Sequence, residues 1–245
     1  MQKWALAAVA GAICLSHGGC DLFRSSEENS RDPAARAFPK ADRPIAPIES
    51  TRYSSEEARD RLNEANQIMD RAGIKPGMTV ADIGAGEGYY TMRLAARVGA
   101  NGRVLAEDIM PEVIDALGRR ITRENRANIS VKLGTTEDPK LPAKSFDRIF
   151  MVHMYHEIAE PYAFLWNLHP ALKPDGMLIV VDADRPTSKH GTPSRLLACE
   201  FAAVGFQMLD IQPKPSAGGY VARFRAIGKR PDPENIIPCA IEGEE

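Results

Sequence analysis

Two short stretches of the chain carry residues whose type and spacing suit chemistry: Asp82-Ile83-Gly84-Ala85-Gly86-Glu87-Gly88 and His153-Met154-Tyr155-His156-Glu157. In the first, three glycines at alternate positions let a backbone turn sharply and come close to a ligand, and a helix opening at Tyr89 would add unpaired N–H groups. A dinucleotide fingerprint would need its third glycine at position 89, where this chain has Tyr89. Asp82, beside the loop, suits a ligand bearing a positive amino group and would repel a pyrophosphate. In the second stretch, His156 offers a side chain whose ordinary pKa suits proton transfer near neutrality. It is the leading candidate base, oriented or assisted by Glu157, with His153 second. The competing reading packs His156 beneath a ligand or against backbone, with no proton transfer. The sequence singles out no metal ligands.

These residues need a frame that brings them to one place. Apolar runs at 79–83, 104–106, 129–133, 148–152 and 177–181 read as strands, and helical patterns separate them. One helix is expected over 89–98, another after Pro111 and a third after Pro161. Such alternation implies βαβ units and a mainly parallel sheet, which binds ligands beyond the carboxyl ends of its strands. Both chemical stretches follow strand ends. A further helix has Thr192 as its N-cap and Gly205 as its terminator. Strands 206–211 and 220–226 then form an antiparallel hairpin. Upstream, Ser54-Ser55-Glu56-Glu57 makes a capping-box pattern, and Leu62, Ala65, Met69 and Ala72 recur at helical spacing before Gly73.

The stretch Val80 to Gly88 resembles the first motif of class I S-adenosylmethionine (SAM) dependent methyltransferases, and Gly102 to Ile109 resembles the second strand of that family. The weaker match Gly134-Thr135-Thr136-Glu137-Asp138 and the turn Leu172-Lys173-Pro174-Asp175-Gly176 extend the likeness over about 54–228. The resemblance implies an α/β, Rossmann-like class I methyltransferase fold: a mainly parallel seven-stranded sheet with an antiparallel C-terminal hairpin and helices on both faces. It implies SAM as cofactor, with the backbone of Gly84, Gly86 and Gly88 along its methionine part and Asp82 at its amino group. Asp108 would accept from the ribose hydroxyls, with Ile109 beside it and Glu107 replacing it if the strand is shifted by one residue. Asp138 is the preferred adenine contact and Glu137 the second. Tyr89 and Tyr90 would lay a ring face on the sulfonium or pack under the loop. Asp182, Asp184, His190 and Arg195 could recognise an acceptor, or be solvated. The Asn/Asp-Pro-Pro-aromatic signature of amino-methylating nucleic-acid enzymes is absent, which favours a small-molecule acceptor. The rival reading keeps the fold and drops catalysis, leaving an envelope-tethered binding module.

Of the 245 residues, 31 are Lys or Arg and 33 are Asp or Glu, a net charge of −2 that gives no overall attraction to nucleic acid. Residues 1–20 read as a signal peptide, with Lys3 before the apolar run 4–15 and small residues ahead of Cys20. Gly19-Cys20 resembles a bacterial lipoprotein cleavage site, which implies a lipid anchor on Cys20, a membrane partner and a cell-envelope location. The alternatives are an ordinary signal-peptidase cut near Gly18, or a cytoplasmic protein with a misassigned start. Residues 21–53 are polar and proline-punctuated and read as a tether, and 229–245 as a loose tail. Cys199 and Cys239 are expected to be buried or free thiols, although an oxidising compartment would permit a bridge. Oligomeric state is not legible.

Overall fold

The computed structural model describes residues 31–48 and 55–240. Five strands run parallel: β1 (Thr79–Ile83), β2 (Arg103–Asp108), β3 (Ile129–Leu133), β4 (Phe146–Val152) and β5 (Leu172–Asp182). β6 (Phe206–Lys214) and β7 (Gly219–Ala226) form a hairpin, and β7 pairs antiparallel with β5. The order across the seven-stranded sheet is β3-β2-β1-β4-β5-β7-β6, so the chain reverses direction of travel between β1 and β4. An open parallel sheet leaves its binding crevice at such a switch point.

Among the described residues, six α-helices cover the sheet: α1 (Glu56–Arg61), α2 (Glu64–Arg71), α3 (Tyr89–Val98), α4 (Pro111–Arg123), α5 (Pro161–Leu168) and α6 (Ser194–Ala203). Alternation along each strand divides the apolar side chains between two cores. Ile149 and Met151 of β4 face one core with Leu178, Val180, Leu165 and Phe201, whereas Phe150 faces the other with Val80, Ile179, Leu94 and Ile68. Burying both faces is why these strands read as nearly continuous apolar runs.

Two helix boundaries differ from expectation. The first helix is two short ones, because Asn63 adopts a left-handed conformation (φ 53°) between α1 and α2. Ser55 caps α1 by accepting from Ala58 N–H. Thr192 is not the cap of α6: its hydroxyl donates to Asp182 at 2.7 Å, and Asp184 accepts from Ser194 N–H at 2.8 Å.

The tether and the loose tail are corrected wherever they are described. Arg43 of the segment 31–48 pairs with Glu200 of α6 at 3.0 Å, their side chains 1% and 0% exposed. Arg31 bonds Glu160 at 2.7 Å, and Phe38 packs edge-on against Trp166. On the same side the tail lays Arg230 over the Trp166 ring at 3.4 Å, and Trp166 Nε1 donates to the Pro231 carbonyl at 2.8 Å. Cys199 and Cys239 are joined in a disulfide with a Cα–Cα distance of 6.0 Å, which corrects the expectation of free thiols. Isolated anchors hold both segments, so no apolar periodicity announces them. Residues 1–20, with Cys20, lie outside the described residues, as do 21–30, 49–54 and 241–245. Among the described residues no helix is long and apolar enough to cross a membrane.

Candidate active site

The crevice at the switch point opens between the loop after β1 and the segment after β4. Gly84, Gly86 and Gly88 all have positive φ, at 63°, 53° and 90°. The need for glycine is sharpest at Gly88, where a Cβ would lie 2.5 Å from Leu117 Cδ1 of α4 in addition to the left-handed backbone. The carboxylate of Asp108, at the end of β2, accepts from Gly86 N–H and from Met110 N–H, both at 3.0 Å. The same carboxylate therefore shapes the loop and lines the cleft.

Two further carboxyl groups on the wall are heavily desolvated. Asp82 is buried and accepts from the Thr91 hydroxyl at 2.6 Å, and burial pushes its pKa up to about 6. Glu107 is buried with its Oε1 lacking a hydrogen-bond partner among the described residues, and burial raises its pKa well above the usual range. A Cβ on Gly134 would fall 1.8 Å from that oxygen, so the glycine makes room for the carboxyl. Desolvated acceptors of this kind suit a ligand that brings an amino group or hydroxyl donors, as SAM does with its methionine amine and ribose.

Of the expected cofactor residues, Asp82, Gly84, Gly86, Tyr89, Asp108 and Ile109 line one cleft, joined by Glu107. Gly88 instead opens α3. Glu137 and Asp138 are not on the wall. Glu137 is buried under the Thr135 and Thr136 hydroxyls, at 2.7 and 3.1 Å, and Asp138 accepts from Lys140 N–H at 2.7 Å. Thr135 and Thr136 themselves form that wall. Arg59 and Arg93 each stand 3.8 Å from the Tyr89 ring centroid, so the protein's own cations take the place expected for a sulfonium. The Tyr90 hydroxyl donates to Glu64 at 2.9 Å, and its ring stacks near Phe150.

At the β4 end, His153, Met154 and Glu157 line the cleft together with Ile48, Ile158 and Phe164. His153 holds a left-handed backbone (φ 55°) at the strand end, and burial lowers its pKa to about 4. His156 is not on the cleft wall. It is fully buried, and its Nδ1 lies 3.0 Å from Asp182 Oδ1, whereas Glu157 is 4.0 Å from its Nε2. The carboxylate that orients His156 is therefore Asp182, which is buried at the end of β5 and is not solvated. The empty volume of the cleft, counted to its open mouth, is about 1350 Å³.

A family described as "Methyltransferase domain" matches residues 80–176, which run from β1 into β5. The ubiquinone/menaquinone biosynthesis C-methyltransferase of Hydrogenovibrio crunogenus is 26% identical over 178 residues, 71% of this chain and 68% of that protein. A demethylmenaquinone methyltransferase of Tropheryma whipplei is 37% identical over 114 residues, with the match spanning 46% of this chain and 45% of the relative. Among solved structures, a SAM-dependent methyltransferase from Aquifex aeolicus superposes with a TM-score of 0.60 at 23% identity, covering 71% of this chain and 98% of that one. The chain carries a class I methyltransferase domain whose cofactor is SAM.

Proposed function

We propose that the protein transfers the SAM methyl group to a small molecule with an apolar ring, held at the β4 end of the cleft. The observation that carries this reading is the set of desolvated acceptors at the ends of β1 and β2, with Glu107 Oε1 unpartnered. In this arrangement the methionine amine meets Asp82, the ribose meets Asp108 with Glu107 beside it, and the adenine lies along Ile109, Thr135 and Thr136. The methyl then points toward Met154, His153 and Glu157. Methyl transfer is an in-line displacement, so the protein mainly aligns the acceptor and, where needed, takes its proton. Glu157 and His153 stand on the wall for that purpose, with His156 behind them. Ile48, Ile158 and Phe164 supply the apolar surface for a ring, and the quinone-pathway names of the relatives favour the same acceptor class. The test incubates the full chain with methyl-labelled SAM and a panel of quinols and phenols. Acceptor-dependent release of S-adenosylhomocysteine, lost in Glu157→Gln, is the expected result. SAM binding without turnover on any acceptor would favour the rival reading of a silent binding module.

We also propose that the protein works in the cell envelope, anchored through Cys20. The leader supports this, and so does the Cys199–Cys239 bridge, since such bonds persist in oxidising compartments. Fractionation should find the wild type with membranes and Cys20→Ala released from them. Thiol labelling should find both cysteines unreactive until reduced. A wild-type protein in the cytosol with an unprocessed start would overturn the placement, and because SAM is made in the cytosol it would also remove any question of cofactor supply.

A further inference from the structure

Behind the cleft wall, His156, Glu157 and His190 converge, with one potential ligand atom from each lying within 4.8 Å of the others. His156 is fully buried, and its Nδ1 lies 3.0 and 3.1 Å from the two oxygens of Asp182, which is also fully buried. Asp182 accepts as well from Ala183 N–H at 2.9 Å and from the Thr192 hydroxyl at 2.7 Å. A carboxylate so placed is an acceptor, so Nδ1 carries the hydrogen and Nε2 is the nitrogen left for a ligand. That Nε2 is buried with no hydrogen-bond partner among the described residues. Glu157 Oε1 stands 4.0 Å away, too far for a hydrogen bond. A cation between the two would give the buried Nε2 the partner it lacks.

His190 completes the arrangement from the loop after β5, its ring edge-on to His156 with centroids 5.6 Å apart. The loop is held in place, since Arg185 donates to the His190 carbonyl at 3.2 and 3.0 Å. A histidine whose far nitrogen is fixed by a buried carboxylate is the usual support for a metal ligand, because the carboxylate sets the tautomer and raises the basicity of the ligating nitrogen. We propose that His156 Nε2, the Glu157 carboxylate and a ring nitrogen of His190 bind one divalent transition-metal ion of the zinc class. Two imidazoles and a carboxylate select such ions over magnesium or calcium, which prefer all-oxygen sets. Bonds of about 2.0–2.2 Å in a tetrahedron place ligand atoms roughly 3.3–3.5 Å apart. Closing the gap therefore takes about 1 Å of side-chain rotation, which Glu157, 15% exposed, and His190, on a surface loop, can supply. Three protein ligands leave a fourth position open. Since Glu157 also lines the cofactor cleft, that position is available to water or to an oxygen or sulfur of the acceptor.

The site requires neither SAM nor methyl transfer, and its test is independent of both. The full chain, stripped with a chelator, is titrated with Co²⁺ while visible absorption is followed, and with Zn²⁺ by calorimetry. One equivalent per chain is expected, with the intense Co²⁺ absorption of a tetrahedral site. His190→Ala should weaken binding at least tenfold, and Asp182→Asn by about 10–100-fold through loss of its support to His156. Thermal unfolding and SAM calorimetry on His190→Ala, expected to match the wild type, separate loss of the metal from loss of the fold or the cofactor cleft. No stoichiometric uptake of either ion, or affinity unchanged in His190→Ala, would overturn the proposal.

Discussion

Replacing Asp82 with Asn tests the electrostatics of the cofactor loop through protein stability. The Asp82 carboxyl is fully buried, and desolvation raises its pKa from 3.8 to about 6. An acid whose folded pKa lies above its unfolded value takes up protons on folding between those two values. Stability from this group therefore falls as pH rises from about 4 to about 6 and stays at the lower level above that. The shift of about 2 units, at about 1.4 kcal/mol each, corresponds to roughly 3 kcal/mol, most of it lost between pH about 4 and pH about 7. Asn carries no charge and keeps an oxygen for the Thr91 hydroxyl, so Asp82→Asn escapes this penalty. Urea unfolding of the ligand-free proteins should find the variant gaining about 2–3 kcal/mol on the wild type between those pH values. Groups common to both proteins cancel in the difference. The same change should lower SAM affinity, because the amine loses its counter-charge, a trade of function for stability. A stability difference that does not vary with pH would contradict a raised Asp82 pKa.

Other expectations follow from the segments that embrace the domain. Reducing Cys199–Cys239 frees a loop of 40 residues' separation and should lower stability by at most about 4 kcal/mol, read as a fall in the urea midpoint with reductant. Glu200→Leu strands the buried Arg43 guanidinium and should cost about 3–5 kcal/mol, with faster proteolysis within 31–48; an unchanged midpoint would mean that the pair contributes little. Gly134→Ala should push the Glu107 carboxyl off its place and weaken SAM binding about tenfold with the fold retained, measured by calorimetry beside circular dichroism.

The sheet and the cofactor loop were legible because they depend on periodicity and on a contiguous motif. Alternating apolar runs locate all seven strands, and the glycines after Asp82 sit where the switch point places them. What could not be read depends on partners distant in the chain. Nothing near Arg43 reveals Glu200, and nothing near Cys199 brings Cys239 within 6.0 Å. Glu157 is next to His156 in sequence, yet a strand end and a tight turn send its carboxylate to the cleft and leave His156 to Asp182, 26 residues away. A similar local twist turns Glu137 inward and leaves the two threonines before it facing the cleft.

A calorimetric titration of the full chain with SAM tests whether this cleft holds the cofactor. A single site is expected, and Asp108→Ala should bind at least about tenfold more weakly, since the proposed arrangement loses charge-assisted ribose bonds worth about 1.5–3 kcal/mol each and the variant also releases Gly86 and Met110. No heat at millimolar SAM, or an affinity unchanged in Asp108→Ala, would contradict the assignment of this cleft to the cofactor.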